Sequence, residues 1–131
     1  MKTIKNLIIG LFLVAFTLTA TAQDKMAKAD AVKTISLEQT KGEFTQKKLT
    51  LSEGTYIFKV SNNNAAPEVG LVLIEDGKDG SKPENHISEA YVSQMVKHGK
   101  TESSKEVTLK KGTYKYFCPF NETPEYTLIV K

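Results

Sequence analysis

Apolar and polar residues alternate with a period of two along most of the chain. The pattern is clearest in residues 55–61, where Tyr56, Phe58 and Val60 fall on one face. This period is typical of β-strands, because successive side chains of a strand point to opposite sides of a sheet. Shorter patterns predict further strands over residues 31–38, 48–51, 69–75, 105–110, 113–118 and 126–130. The run at 69–75 is apolar almost throughout, which favours a strand covered on both faces.

One segment, residues 84–98, breaks this alternation. It carries apolar and aromatic side chains at helical spacing, namely Ile87, Tyr91, Met95 and His98. Pro83 is typical of a first helical turn, and Gly99 is typical of a helix end. The sequence therefore predicts an all-β fold: a Greek-key antiparallel β-sandwich of about seven strands with one inserted helix.

The first residues of the chain indicate export. Two lysines precede an apolar run over residues 7–16, and residues 20–22, Ala-Thr-Ala, have the A-x-A pattern of a cleavage site. We therefore expect a signal peptide over residues 1–22 and one folded domain over residues 23–131, in the periplasm or secreted. The apolar run is too short to cross a bilayer, so we expect no membrane span after cleavage near Ala22.

Composition argues against nucleic-acid binding and against most enzyme classes. The chain has a net charge of +3 but no arginine, so it lacks the bidentate basic side chains typical of nucleic-acid binders. It also has no phosphate-binding loop, dinucleotide fingerprint or H-E-x-x-H motif. We expect no nucleic-acid partner and no enzymatic activity. A thiol enzyme with Cys118 as nucleophile and His98 as base is the remaining enzymatic alternative.

The chain contains a single cysteine, Cys118, at the end of the predicted strand 113–118. Pro119 follows it and ends the strand, because proline has no N–H to donate to the ladder. The period of two places Cys118 on the same face as Tyr114 and Tyr116. Four interpretations of the thiol remain open: an inert buried group, a metal thiolate, an intermolecular disulfide or a redox thiol.

Three blocks of the sequence are similar to cupredoxins. They are LTLSEGTYIFKVSN at 49–62, APEVGLVLIE at 66–75 and GTYKYFCPFNETPEYTLIV at 112–130. The resemblance implies a cupredoxin-like β-sandwich in which Cys118 is a metal ligand. It also implies binding of a copper ion, with iron as the alternative, in metal handling or electron transfer. The implied partner is a periplasmic redox or metal-transport protein.

The sequence departs from this family at the remaining ligands. A blue-copper centre needs two imidazoles, a thiolate and a weak axial ligand. In the family the first histidine falls near residues 68–70, and the second histidine and the axial methionine lie in the loop after the cysteine. Here neither block contains histidine, and the loop 119–125 contains no methionine. His86 and His98 both fall in the predicted helix, so a type 1 site cannot form at the usual positions.

Within the family, the pattern most closely resembles EfeO-type cupredoxin-like domains, which are associated with periplasmic iron and copper handling. Glu68 and Cys118 match the ligand positions of that branch, whereas Gly70 and Tyr116 stand where it has acidic residues. The resemblance therefore implies a site built on Cys118 and Glu68.

Further donors are needed to complete such a site, because copper or iron takes three or four protein ligands. The candidates are His98, His86 and the loop residues Asn121, Glu122 and Glu125. The alternatives are structural: Glu68 as an ordinary loop carboxylate, His98 as a helix cap and His86 as an exposed first-turn side chain. Two hypotheses follow, a copper-binding protein and a cupredoxin-fold interaction module that has lost its metal site.

Overall fold

The computed structural model of the protein describes residues 31–131, and the predicted signal peptide lies outside them. The described residues form ten strands, of which seven have four residues or more, in agreement with the predicted number. The strands are β1 (Lys33–Thr40), β2 (Glu43–Phe44), β3 (Lys48–Leu51), β4 (Gly54–Asn62), β5 (Glu68–Val69), β6 (Val72–Glu75), β7 (Val96–Lys97), β8 (Thr101–Leu109), β9 (Gly112–Phe117) and β10 (Tyr126–Val130).

Two four-stranded sheets make up the predicted β-sandwich, which is confirmed. One sheet has the order β2-β1-β4-β8, the other has the order β3-β10-β9-β6, and β5 and β7 form a separate short ribbon. Most neighbouring strands are antiparallel, but β1 and β4 are parallel, as are β3 and β10. The sandwich is therefore mixed in direction, with each parallel pair joining strands from different parts of the chain.

The core lies where the apolar faces of the two sheets meet. Tyr56, Phe58 and Val60 of β4 are buried, as their alternation predicts. Facing strands contribute Tyr114 and Tyr116 from β9, which are buried as well. Burial of such side chains is the main stabilising term, at roughly 1.5–3 kcal/mol for each large apolar side chain.

The two-residue strand β2 adds one aromatic ring to this core. Phe44 is fully buried, and its ring centroid lies 5.3 Å from that of Tyr116 and 5.7 Å from that of Tyr126. Both contacts are edge-to-face, a geometry that aromatic pairs favour. β2 is therefore fixed against the last two strands, β9 and β10.

The predicted inserted helix is wrong. Residues 83–98 contain two 3₁₀ turns, Pro83–Asn85 and Ser88–Ala90, and then the strand β7. Val92 forms an isolated β-bridge with Ser104, and β7 pairs with β5. Tertiary pairing to these strands outweighs the helical spacing of the side chains, because local propensity is only a weak preference. Among residues 31–131, no helix is long and apolar enough to cross a membrane.

The predicted strand at 69–75 is present, but it is divided in two at Gly70. Val69 belongs to β5 and pairs with Val96, whereas Val72 begins β6 and pairs with Phe117. The side chains of β6 are buried up to Ile74, as expected for a strand covered on both faces. The division leaves the backbone of Gly70 free to contact groups outside the ladders.

Candidate functional site

Cys118 lies at the junction of β9 and the following loop, and its side chain is fully buried. Pro119 ends the strand and begins a 3₁₀ turn, Pro119–Asn121. The Cys118 N–H donates to Thr123 Oγ1 at 2.9 Å, and the Thr123 N–H donates to the Cys118 carbonyl at 3.2 Å. These two hydrogen bonds close the loop and hold the sulfur on the interior side of the strand.

The sulfur contacts the segment that joins β5 to β6. The Gly70 N–H donates to Cys118 Sγ at 3.4 Å, in a fully buried hydrogen bond. Met95 lies against the same glycine, with its Sδ 3.7 Å from the position that a Cβ of Gly70 would occupy. The fold therefore brings residues 68–70 and the cysteine block together, as the resemblance implies for the family's ligand blocks.

Two buried side-chain amides join the segments around this contact. Gln39 Nε2 donates to the Gly70 carbonyl at 2.8 Å, and Gln39 Oε1 accepts from Asn121 Nδ2 at 3.2 Å. Asn121 Nδ2 also donates to the Thr40 carbonyl at 2.8 Å, and Asn121 Oδ1 accepts from the Gly42 N–H at 2.9 Å. The Asn121 oxygen is thus occupied by the backbone, which differs from its predicted place among the oxygen ligands.

Glu68 lies on β5, where it is opposite Lys97 in the ladder, and its side chain is exposed. The next residue, Val69, is fully buried. Because successive side chains of a strand face opposite ways, the Glu68 carboxylate faces solvent while Val69 faces the core. The structure thus brings the backbone near Glu68 to Cys118 without bringing its carboxylate there.

His86 is held inside the irregular segment between β6 and β7. Its Nε2 donates to the Gly80 carbonyl at 2.7 Å, because a carbonyl oxygen can only accept, and its Nδ1 is hydrogen-bonded to the Tyr91 hydroxyl at 2.5 Å. Both ring nitrogens of His86 are therefore occupied by protein groups.

His98 lies in the exposed turn between β7 and β8, next to Gly99, which has a positive φ of +72°. The structural alternatives proposed for both histidines, a helix cap and a first-turn side chain, are wrong because residues 84–98 do not form the predicted helix. Over residues 31–131, no group of three or more His, Cys, Asp and Glu side chains is arranged to hold a metal ion. The described side chains therefore do not fit a blue-copper centre.

An apolar groove of about 490 Å³ adjoins the Gly70 segment and the loop after Cys118. Its wall includes Leu71, Val72, Val92, Met95 and Pro119. Two aromatic side chains at the groove remain accessible, since Phe120 is 64% exposed and Tyr91 is 40% exposed. Exposed aromatic side chains beside an apolar groove are typical of binding surfaces.

Tyr116 is the titratable group that the fold perturbs most clearly. Burial, and to a smaller extent the neighbouring Tyr126, raise the pKa of Tyr116 to about 12. The protonated hydroxyl donates to the Gln46 carbonyl at 2.5 Å. Tyr116 is thus kept neutral and serves to join β9 to the segment between β2 and β3.

Sequence reasoning missed Gln39 and Gly70, which contact the Cys118 region. A signal for Gln39 is present, because it follows Ile35 and Leu37 at the same spacing of two. A polar amide within an apolar stripe indicates a buried hydrogen bond, since an unpaired buried amide is costly. No comparable sequence signal marks the sulfur contact of Gly70.

The chain is similar to a known protein family and to several solved structures. A family model described as "Cupredoxin-like domain" matches residues 8–130. Auracyanin A, a "blue" copper protein from the green thermophilic photosynthetic bacterium Chloroflexus aurantiacus, has a TM-score of 0.57 at 19% identity; the match covers 77% of this chain and 100% of auracyanin A.

Two further auracyanins are similar at the same level. Auracyanin B has a TM-score of 0.55 at 20% identity, over 76% of this chain and 88% of its own. The auracyanin from Roseiflexus castenholzii has a TM-score of 0.56 at 16% identity, over 75% of this chain and 96% of its own. At these identities the likeness shows a shared fold. No curated protein matches the chain.

Proposed function

The chain belongs to the cupredoxin-like domain family, and we propose that it is an exported protein that binds copper through Cys118. One observation carries this proposal: the Gly70 N–H lies 3.4 Å from Cys118 Sγ, so the two blocks that hold ligands in the family are in contact. The likeness to auracyanin A, a blue copper protein, supports copper as the bound ion. The proposed role is metal handling, as the resemblance to EfeO-type domains implies, or electron transfer with a periplasmic partner.

Copper(I) suits these residues better than copper(II). A type 1 centre needs two imidazoles, whereas thiolate and thioether ligands select Cu(I). Cys118 offers a thiol, and the Met95 thioether lies against the same glycine that contacts it. We therefore propose Cys118 as the principal ligand and Met95 as a sulfur donor beside it.

The other sequence-predicted ligands remain proposals that require movement. Glu68 and His98 are exposed, so each would have to turn its side chain toward the buried sulfur. His86 would have to release Gly80 or Tyr91 before either of its ring nitrogens could bind an ion. Iron is the alternative ion if these oxygen and nitrogen donors, rather than sulfur, dominate.

The test is a titration of the metal-free protein with Cu(I), in competition with a chromophoric Cu(I) chelator. Cu(II) is added separately, and thiolate charge-transfer absorption is followed. We expect one Cu(I) per chain in the wild type and loss of this binding in Cys118→Ala. Glu68→Gln is the matched control, because Glu68 is also a predicted ligand but its side chain lies on the exposed face of β5. Equal binding by wild type and Cys118→Ala contradicts the proposal.

A second candidate function is an interaction module built on the same fold without a metal. The apolar groove favours it, because Phe120 and Tyr91 are exposed beside it. The partner would be a protein that inserts an apolar side chain. In that case, Cu(I), Cu(II) and Fe(II) bind without defined stoichiometry and leave the melting temperature unchanged. Tight stoichiometric binding of any of these ions excludes this candidate.

Export is part of the proposal and has its own test. If residues 1–22 are removed during export, the mature protein begins at Gln23 and is recovered from the periplasm or the medium. N-terminal sequencing of the mature protein checks this. An intact Met1 on the mature protein contradicts export by cleavage.

A further inference from the structure

We propose that the side chains of Gln39 and Asn121 form a latch that controls access to the Cys118 sulfur. The latch consists of these two amides and their hydrogen bonds to Gly70, Thr40 and Gly42. Its biological purpose, controlled entry of copper, rests on the proposed function. The latch itself is a property of the fold, and it can be tested without any metal.

The sulfur needs an opening motion to react. Cys118 is fully buried, and its described polar contact is the Gly70 N–H. The nearby apolar groove is lined by Gly70, which makes this contact, and by Pro119, which follows Cys118 in the chain. Cys118 itself does not line the groove. A reagent or an ion therefore reaches the sulfur only when one of the neighbouring segments moves.

Both segments that cover the sulfur are fixed by the same two amides. Asn121 belongs to the 3₁₀ turn directly after Cys118, and Gly70 is the residue whose N–H contacts the sulfur. Gln39 is fully buried and Asn121 is 6% exposed, so their hydrogen bonds are protected from water. Breaking the Asn121 bonds would release the loop after Cys118 from Gln39, Thr40 and Gly42 while leaving the strand ladders intact.

The backbone of this loop already favours opening. Glu122 has a φ of +51° and adopts the left-handed conformation. This conformation is unfavourable for any residue other than glycine, because the Cβ approaches the following carbonyl oxygen. Apart from the latch, the loop after Cys118 is closed by the reciprocal bonds of Cys118 with Thr123 and by the bond from the Glu122 N–H to the Pro119 carbonyl at 3.3 Å. The latch thus holds a short, strained loop over a buried thiol, an arrangement suited to local opening.

A second buried amide offers a matched control. Asn62 is 1% exposed, donates to the carbonyls of Ala66 and Val96, and accepts from the Ala65 N–H. Like Asn121, it joins loops through several buried hydrogen bonds. None of these partners is hydrogen-bonded to the Cys118 sulfur or belongs to the loop after it, so loss of Asn62 tests stability without testing the latch.

The experiment measures the rate at which Ellman's reagent modifies Cys118 in the wild type, Asn121→Ala and Asn62→Ala. Global stability of each protein is measured by urea unfolding. We expect Asn121→Ala to react about tenfold faster or more than its global stability predicts, because each lost hydrogen bond shifts the opening equilibrium severalfold. We expect Asn62→Ala to follow its global stability alone. Conservative Asn121→Gln, which keeps the amide, should recover part of the protection.

The dependence of these rates on low urea concentrations adds a readout that a purely structural role would not change. Local opening exposes little surface, so the rate in Asn121→Ala should be nearly independent of urea, whereas global opening depends on it steeply. The proposal is overturned if the rates of thiol modification in both variants fall on a single line when they are plotted against the constants for global unfolding. It is also overturned if the wild-type thiol reacts as fast as a free thiol.

Copper titration of the same variants separates this proposal from the proposed function. Faster thiol modification in Asn121→Ala with no copper binding in any variant supports the latch and rejects copper. If copper binds through Cys118 while the thiol modification rates of all variants follow global unfolding, the proposed function is supported and the latch is rejected.

Discussion

Replacement of Tyr116 by phenylalanine tests how burial of β9 is coupled to pH. The change removes the hydrogen bond from the hydroxyl to the Gln46 carbonyl, which should cost about 1 kcal/mol of stability near neutral pH. It also removes a phenol whose pKa is raised by burial to about 12, against about 10 in an unfolded chain.

The sign of the pH effect follows from these two pKa values. Above pH 10 the unfolded chain loses the Tyr116 proton while the folded protein keeps it, so wild-type stability falls as pH rises from about 10 to about 12. The loss from this one group is about 0.4 kcal/mol at pH 10 and about 1.4 kcal/mol at about pH 11. Tyr116→Phe lacks this loss.

The expected result is a crossing of the two stabilities. The variant should be less stable than the wild type at pH 8 by about 1 kcal/mol and as stable or slightly more stable at about pH 11. Urea unfolding of both proteins at pH 8, 9, 10 and 11 measures the difference, and lysine titration cancels because it is common to both. A stability difference that stays constant from pH 8 to pH 11 refutes the reasoning.

Three further substitutions test the packing around the candidate site. Phe44→Ala should lose roughly 3–5 kcal/mol in urea unfolding, because the ring is fully buried between two tyrosines; a loss under about 1 kcal/mol contradicts the packing. Gly80→Ala should lose roughly 1–3 kcal/mol, since a Cβ would lie 2.8 Å from Phe117 Cζ, and an unchanged melting temperature would argue against that contact. His86→Ala should lose about 1–2 kcal/mol and speed proteolysis between β6 and β7, whereas exposed His98→Ala should change stability by under about 0.5 kcal/mol. Equal effects of the two histidine variants would show that the His86 hydrogen bonds contribute nothing.

The sandwich could be predicted because the alternation of apolar and polar residues along each strand shows which side chains are buried. The faces of β4 and β9 follow from alternation alone, and β10 was predicted at its observed bounds, Tyr126–Val130. Pro119 and the turn around Gly112 mark the ends of β9 through their backbone chemistry. These features depend on residues that are close in sequence, which is why one sequence suffices.

The segment between β6 and β8 could not be predicted because its structure depends on distant partners. Val92 pairs with Ser104, and Val96 pairs with Val69 across the fold. The spacing that favoured a helix came from Ile87 to His98, and nothing in that spacing shows which strands are available for pairing. Helix propensity of only a few tenths of a kcal/mol per residue is readily overcome by such contacts.

The position of Cys118 at the end of a strand could be predicted from the sequence, whereas most of the residues around its sulfur could not. The period of two places Cys118 on the same face as Tyr114 and Tyr116, which is the buried face, and the neighbouring block follows from the family resemblance. The sulfur contact of Gly70 is made by its backbone, which leaves no mark in the sequence. The positions of His86 and Glu68 depend on loop geometry, and loops are the part of a fold that local patterns determine least.

The central claim is that Cys118 is a copper ligand, and X-ray absorption at the copper edge of the Cu(I)-loaded protein tests it most directly. We expect a sulfur scattering shell in the wild type, and loss of at least one sulfur neighbour in Cys118→Ala at equal copper loading. Copper surrounded only by nitrogen and oxygen in the wild type, or identical spectra for the two proteins, contradicts the account.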